Sequence, residues 1–107
     1  MRILLDERVN PRLRLAFPGA EVRTVAEMGW RSLQNGLLLR EAGSQFDVFV
    51  TLDRNLQFQN SSGIAAIGVL VLVTRLNDLA TYRPKFTEIR DAAFRAKPGQ
   101  VTVLRIE

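Results

Sequence analysis

Acidic residues follow two apolar segments of this chain, and their chemistry is the most informative in the sequence. Asp6 and Glu7 come directly after the run Ile3–Leu5, and Asp53 follows the run Phe46–Thr51. If both runs are parallel strands of one sheet, their carboxyl ends share the edge where open parallel sheets bind ligands. Carboxylates held close together repel one another unless a cation joins them. Mg²⁺ and Mn²⁺ prefer oxygen ligands, so the pattern indicates a site for one of them.

The composition narrows the chemistry that is open to the chain. It contains no histidine and no cysteine. This excludes Ser-His-Asp and Cys-His catalysis, histidine- or thiolate-ligated metal sites, and disulfide bonds. The catalytic chemistry that remains is that of carboxylates acting together with a hard cation. Such a cation can activate water and neutralise charge on a phosphodiester.

Basic residues outnumber acidic ones, which permits nucleic acid as a partner. The formal net charge is +4, and every basic residue except Lys85 and Lys97 is an arginine. The planar guanidinium suits phosphate recognition. Arg54, beside Asp53, is the better single candidate for a phosphate contact, and Arg8 is a second. An arginine-rich proteome would explain the same composition without any nucleic acid.

Predicted strands and helices alternate along the chain, which favours βαβ units on a parallel sheet. Strands are predicted at residues 3–5, 21–25, 46–51, 65–73 and 101–104. Helical segments are predicted at residues 11–17, 36–42 and 56–60, after residue 77, and from Pro84 to the break at Pro98. A length of 107 residues fits one domain, residues 1–107. We predict a single α/β domain with at least four mostly parallel strands, in which Ile3–Leu5 and Val48–Thr51 are central.

Some candidate residues also have a purely structural interpretation. Asp6 and Glu7 could begin a turn, and Asp53 could cap a short helix. Asn35 could cap the helix that follows it. Asp47 opens its strand, so we expect it at the end of the sheet away from the other acids.

Several motifs resemble those of a bacterial PIN-like family described as a domain of unknown function. The opening segment Ile3–Glu7 resembles that family's first motif. Further matching segments lie at Glu21–Val25, Met28–Trp30 and Asn35–Leu38. Phe46–Leu56, followed by Gln59 and Asn60, resembles its last acidic motif. The resemblance covers residues 2–73 well and the last third of the chain loosely.

The resemblance implies a PIN-like, three-layer α/β/α fold with helices on both faces of the sheet. It also implies kinship to the VapC-type toxins, which are Mg²⁺-dependent ribonucleases neutralised by a partner antitoxin. Asp6 would match the first catalytic acid, and Asp53 the aspartate of the Thr-x-Asp motif. This chain has Asn35 and Asn55 at two positions where many PIN-type proteins carry an acid.

The expected function is therefore that of an Mg²⁺- or Mn²⁺-dependent endoribonuclease, the toxin of a toxin–antitoxin pair. Asp6, Asp53 and Glu7 are the predicted catalytic residues. The metal would be held by Asp6, Asp53 and Asn35, and Arg54 and Arg8 would bind RNA phosphate.

The expected partners are RNA, a cognate antitoxin protein and a second copy of the chain in a homodimer. The sequence shows no signal peptide and no apolar stretch of spanning length. We therefore expect a cytoplasmic location and no membrane partner.

Two other functions fit the same residues. An inactive PIN-like module would bind RNA or an antitoxin without cutting, and the asparagines would be the reason. A receiver-like signalling domain would use Asp53 as its phosphoacceptor, with Thr74 after the long strand. That function needs a lysine after the fifth strand and a further helix, whereas the sequence given ends shortly after Arg105.

Overall fold

The computed structural model describes residues 1–58 and 66–107, and it contains a five-stranded sheet whose strands all run parallel. The strands are β1 (Arg2–Leu5), β2 (Glu21–Thr24), β3 (Val48–Thr51), β4 (Gly68–Val73) and β5 (Val101–Arg105). Their spatial order is β2-β1-β3-β4-β5. The predicted parallel sheet is therefore confirmed. β1 and β3 are adjacent interior strands, as expected from their apolar sequences.

Helices connect most of the strands. The α-helices are α1 (Asn35–Gly43), α2 (Leu79–Tyr82) and α3 (Phe86–Arg95). 3-10 helices cover Pro11–Ala16, Arg54–Phe58 and Arg83–Lys85. The helix predicted at 56–60 thus starts earlier, and residues 59 and 60 lie outside the described part of the chain. Within the described ranges, no helix is long and apolar enough to cross a membrane.

Alternate side chains of the central strands pack into two separate hydrophobic clusters. Ile3 and Val50 share one cluster with Ile89 of α3. Leu4 belongs to the other, with Leu39 of α1. Strands buried on both faces are apolar at consecutive positions instead of alternating. This burial explains the unbroken apolar runs from which the strands were predicted.

The winding of the chain reverses between β1 and β3. From β1 the chain passes to β2 on one side of the sheet, and the remaining strands lie on the other side. This is the strand order of flavodoxin-like doubly wound sheets, in which ligands bind at the carboxyl ends of the strands where the winding reverses. Asp6 follows β1 and Asp53 follows β3, so both acids lie beside this reversal point.

Gly68, the first residue of β4, has no room for a side chain. A Cβ atom there would lie 2.5 Å from the carbonyl oxygen and 2.8 Å from the carbonyl carbon of Ala96. We expect Gly68→Ala to lower the free energy of unfolding by about 1–3 kcal/mol, because backbone atoms must shift. Urea denaturation measures this, with Gly36→Ala as the control, since a Cβ at Gly36 meets nothing within 4 Å. Equal stability of the two variants would contradict the packing described here.

Candidate active site

The carboxylate of Asp6 and the backbone of Asp53 meet at the hydroxyl group of one buried threonine. Thr51 Oγ1 donates a hydrogen bond to Asp6 Oδ2 at 2.7 Å. The same oxygen accepts the backbone N–H of Asp53 at 3.0 Å. Thr51 is fully buried at the end of β3. Asp6 and Asp53 therefore lie at the same edge of the sheet, as predicted, and a neutral side chain holds them together.

Asp6 is positioned by the strand before it and the turn after it. Its N–H donates to Val50 O at 2.9 Å, which extends the pairing of β1 with β3 by one residue. Its Oδ1 accepts the backbone N–H of Glu7 at 2.8 Å, and its carbonyl oxygen accepts that of Val9 at 3.0 Å. Asp6 thus begins a turn, and this structural role also fixes the direction of its carboxylate.

Asp53 likewise combines a structural role with a place in the cluster. Its Oδ1 accepts the backbone N–H of Asn55 at 3.0 Å, and its carbonyl oxygen accepts that of Leu56 at 3.2 Å. These bonds cap the 3-10 helix Arg54–Phe58. The other carboxylate oxygen, Oδ2, accepts Nδ2 of Asn35 at 3.3 Å.

Asn35 does not cap α1, so that interpretation was wrong. The residue preceding the helix is Gln34, whose side chain makes no capping bond, and Asn35 is the first helical residue. Its amide turns to Asp53, because an ionised carboxylate accepts a stronger hydrogen bond than a neutral group does. The structure thus brings Asn35 to the acids, where the prediction of a metal ligand requires it.

A polar cavity of about 310 Å³ joins these residues. It is lined by Asp6, Glu7, Arg8, Asn35, Asp53 and Asn55. Glu7 and Arg8 are exposed, whereas Asp6, Asn35 and Asp53 are partly buried. The cavity therefore opens to solvent beside the two aspartates.

Two other predicted residues lie outside this cavity. Arg54, the preferred candidate for a phosphate contact, lines a neighbouring cavity at the same edge of the sheet. Asp47 lies at the opposite edge, where its Oδ2 accepts the backbone N–H of Arg2 at 2.8 Å. Its separation from the other acids agrees with the expectation from the sequence.

The loop that carries Glu7 and Arg8 is held by a residue that the sequence analysis did not connect with the site. Asn77 donates from Nδ2 to the carbonyl oxygen of Arg8, and its Oδ1 accepts the N–H of Asn10 at 3.0 Å. The same Oδ1 accepts the hydroxyl of Tyr82 at 2.7 Å. Burial, together with the nearby charge of Asp78, raises the pKa of Tyr82 to about 12, so this phenol stays a donor at neutral pH.

The donor set suits a hard cation that keeps part of its water shell. Among residues 1–58 and 66–107, no three aspartate, glutamate, histidine or cysteine side chains form a group that could hold a metal ion. Mg²⁺, however, is commonly bound through one or two carboxylates, with waters and substrate phosphates completing its coordination. Asp6 and Asp53 supply two carboxylates, and Asn35 can add an amide oxygen. These residues therefore fit Mg²⁺ or Mn²⁺ better than a metal that needs a closed protein cage.

Comparison with known proteins does not identify the chain. No family model, no curated protein and no solved structure matches it. Gln59 and Asn60, which belong to the resembling motif, lie outside the described residues.

Proposed function

We propose that this chain is a cytoplasmic, Mg²⁺- or Mn²⁺-dependent ribonuclease with a PIN-like, three-layer fold. One observation carries the proposal: Asp6 and Asp53 line one cavity where the winding of the sheet reverses, and Thr51 Oγ1 bonds the Asp6 carboxylate and the Asp53 backbone N–H. The layered fold is supported by the two hydrophobic clusters, one with α1 and the other with α3. The PIN-like assignment is supported by the motifs around the same two aspartates.

Each residue of the cavity has a role in the proposed mechanism. Asp6 and Asp53 would hold the cation, with Asn35 and Glu7 contributing directly or through water. A cation held there would supply the activation of a water and the neutralisation of charge on the phosphodiester. Thr51 fixes the direction of the Asp6 carboxylate. Arg8, at the rim, neutralises the phosphate of the entering RNA.

The proposal extends to a biological role that rests on the motif resemblance alone. In that role the protein is the toxin of a toxin–antitoxin pair, and a cognate antitoxin protein covers the site. A homodimer belongs to the same extension. Co-expression with the product of an adjacent gene, followed by an activity assay, tests whether an antitoxin silences cleavage.

Metal dependence tests the core of the proposal. We expect the pure protein to cleave single-stranded RNA in Mn²⁺ or Mg²⁺ and to lose that activity in EDTA, because no histidine is present to act as a base in place of the metal. A gel assay on a labelled RNA measures cleavage, and adding back Mn²⁺ should restore it. Equal cleavage in EDTA would show that the metal mechanism is wrong.

An inactive binding module is the second candidate function. It is favoured by the two asparagines beside Asp53: Asn35 bonds its carboxylate, and the N–H of Asn55 bonds it from the other side. An amide oxygen can bind a cation but adds no negative charge. If calorimetry detects no Mn²⁺ binding while the protein still binds RNA or an antitoxin, this candidate is the better one.

A receiver-like phosphoacceptor is the third candidate, and the strand order favours it. Against this candidate, Arg105 is the last residue of β5, and Glu107 lies just beyond it, at the place where this function needs a lysine. In addition, the hydroxyl of Thr74, which this function would use, donates instead to Glu107 Oε1 at 2.7 Å. A phosphoryl mass increase on Asp53 after incubation with acetyl phosphate would support this candidate.

A further inference from the structure

A second polar cavity lies beside the proposed active site, at the same edge of the sheet. Its volume is about 450 Å³, and it is lined by Leu52, Arg54, Leu72, Val73, Thr74, Arg75, Arg105 and Glu107. The three arginines come from the carboxyl ends of β3, β4 and β5. Among the described residues, Arg54 and Arg105 form no ion pair, and Arg75 pairs with Glu107 at 3.3 Å. The cavity therefore carries an excess of positive charge.

On one wall of this cavity, several hydrogen-bond donors point to a single oxygen of the Glu107 carboxylate. Glu107 Oε1 accepts the hydroxyl of Thr74 at 2.7 Å and the backbone N–H groups of Arg75 and Leu76 at 2.7 and 3.0 Å. Oε2 accepts Nη2 of Arg75 at 3.3 Å. Successive backbone N–H groups that point to one spot form an anion-binding nest, the arrangement used for phosphate in many proteins.

The nest clearly favours a negatively charged occupant. The hydroxyl of Thr74 and the N–H groups of Leu76 and Arg75 lower the pKa of Glu107 to about 2. The carboxylate is thus ionised at any physiological pH. It has the charge and the oxygen geometry with which a phosphate group would occupy the same donors.

We propose that the nest at Thr74–Leu76, with Arg54 and Arg105, binds a backbone phosphate of single-stranded RNA, and that Glu107 competes for this nest in the free protein. The inference deepens the proposed function, since it assigns the path of the substrate beside Asp6 and Asp53. RNA displaces the Glu107 carboxylate, and the phosphate oxygen takes over its hydrogen bonds. Glu107 therefore lowers the affinity of the protein for RNA.

The arrangement of the two cavities favours a polynucleotide over a single phosphate ion. Asp53 lines the first cavity and Arg54 the second, so adjacent residues connect them. Arginines line both cavities: Arg8 lies in the first, beside the acids, and Arg54, Arg75 and Arg105 lie in the second. Grooves for single-stranded nucleic acid track the backbone with basic side chains in this way. A lone phosphate would occupy the nest and leave Arg8 unused.

RNA binding in EDTA tests the proposal independently of cleavage. The probe is a fluorescein-labelled oligouridylate, and its anisotropy gives the dissociation constant at several salt concentrations. We expect Glu107→Gln to bind about 3-fold tighter or more, because a neutral amide holds the nest more weakly than a carboxylate does. Glu41→Gln is the control, since it removes the same charge from an exposed position near the end of α1. Its effect on affinity should be small.

A second pair of variants keeps the proposal testable if Glu107→Gln is unstable. Arg54→Ala combined with Arg105→Ala should weaken binding and lower the salt slope by about 0.7 for each arginine. Arg95→Ala, at the last residue of α3 and outside both cavities, is the control for the effect of losing one positive charge. An unchanged salt slope in the double variant overturns the proposal. Glu107→Gln that is folded but binds RNA no more tightly than the wild type also overturns it.

Two further outcomes distinguish RNA from the other anions that could occupy the nest. Stronger competition by polyglutamate than by oligouridylate of equal charge would overturn the RNA assignment in favour of an acidic protein segment. Competition by inorganic phosphate as effective as that by oligouridylate would overturn it in favour of a free ion. Because RNA binding is measured in EDTA and cleavage separately in Mn²⁺, tight binding without any cleavage would refute the nuclease and leave the RNA path supported.

Discussion

Asp6→Asn is expected to abolish metal-dependent RNA cleavage and to leave the fold nearly unchanged. The substitution removes one of the two carboxylates proposed to hold the cation. A bound metal contributes several kcal/mol of transition-state stabilisation, and each 1.36 kcal/mol corresponds to about tenfold in rate. We therefore expect a loss of at least about 100-fold in cleavage rate and a clear loss of Mn²⁺ affinity.

The fold should tolerate this change because Asp6 is only partly buried. An asparagine oxygen can still accept the Thr51 hydroxyl, and the Oδ1 bond to the Glu7 N–H is the contact that is lost. Removing one of two neighbouring negative charges also relieves repulsion in the metal-free protein. The free energy of unfolding should change by less than about 1 kcal/mol in either direction.

Asp47→Asn is the matched control for Asp6→Asn. It makes the same chemical change at the opposite edge of the sheet, where the carboxylate bonds the N–H of Arg2. Cleavage is measured in Mn²⁺, and stability by urea denaturation of the same preparations. A folded Asp6→Asn variant that cuts as fast as Asp47→Asn would remove Asp6 from the mechanism.

Thr51→Val is expected to impair the site from within the sheet. Valine has nearly the shape of threonine, so the substitution leaves no cavity, but it removes the hydroxyl that Asp6 and Asp53 share. The N–H of Asp53 then has no acceptor in a partly buried position, which costs about 1–3 kcal/mol of stability. Asp6 loses the bond that directs its carboxylate. We expect a loss of about tenfold or more in cleavage rate.

Thr51→Ser separates the hydroxyl from the methyl group. It keeps both hydrogen bonds and removes one buried methyl, which costs about 0.8 kcal/mol. This variant should lose stability but retain most of its activity and Mn²⁺ affinity. Thr51 is a positioning residue, and if Thr51→Val and Thr51→Ser lose activity equally, the hydroxyl does not orient the acids.

The sequence by itself determined the sheet and the strand ends that carry the acids. The apolar runs of β1, β3 and β4 are continuous because these strands are buried on both faces, and continuous runs separated by helical segments favour parallel strands. Asp6 comes directly after β1, and Asp53 comes two residues after the end of β3. In a parallel sheet all strands end at one edge, so strand direction alone places both acids at that edge. Their approach also requires β1 and β3 to be neighbours. The opposite position of Asp47 likewise follows from strand direction.

The tertiary structure decided which groups these acids contact. The side chain of Asn35 has a local alternative, the helix cap, and only the position of Asp53 across the edge makes its carboxylate the better acceptor. The Thr51 hydroxyl is two residues from Asp53, a spacing that suggests a contact, but its bond to Asp6 exists because β1 and β3 are neighbours.

Strand order likewise determines which charged residues line each cavity at the carboxyl ends of the strands. Arg54 is next to Asp53 in the chain, yet it lines the second cavity, while Arg8 lines the first. Glu107 reaches the nest after β4 because β5 pairs with β4. Local patterns specify strands and turns through neighbouring residues, whereas strand order depends on packing between distant segments. For that reason, Asn77 and Glu107 could not be connected with the site from the sequence alone.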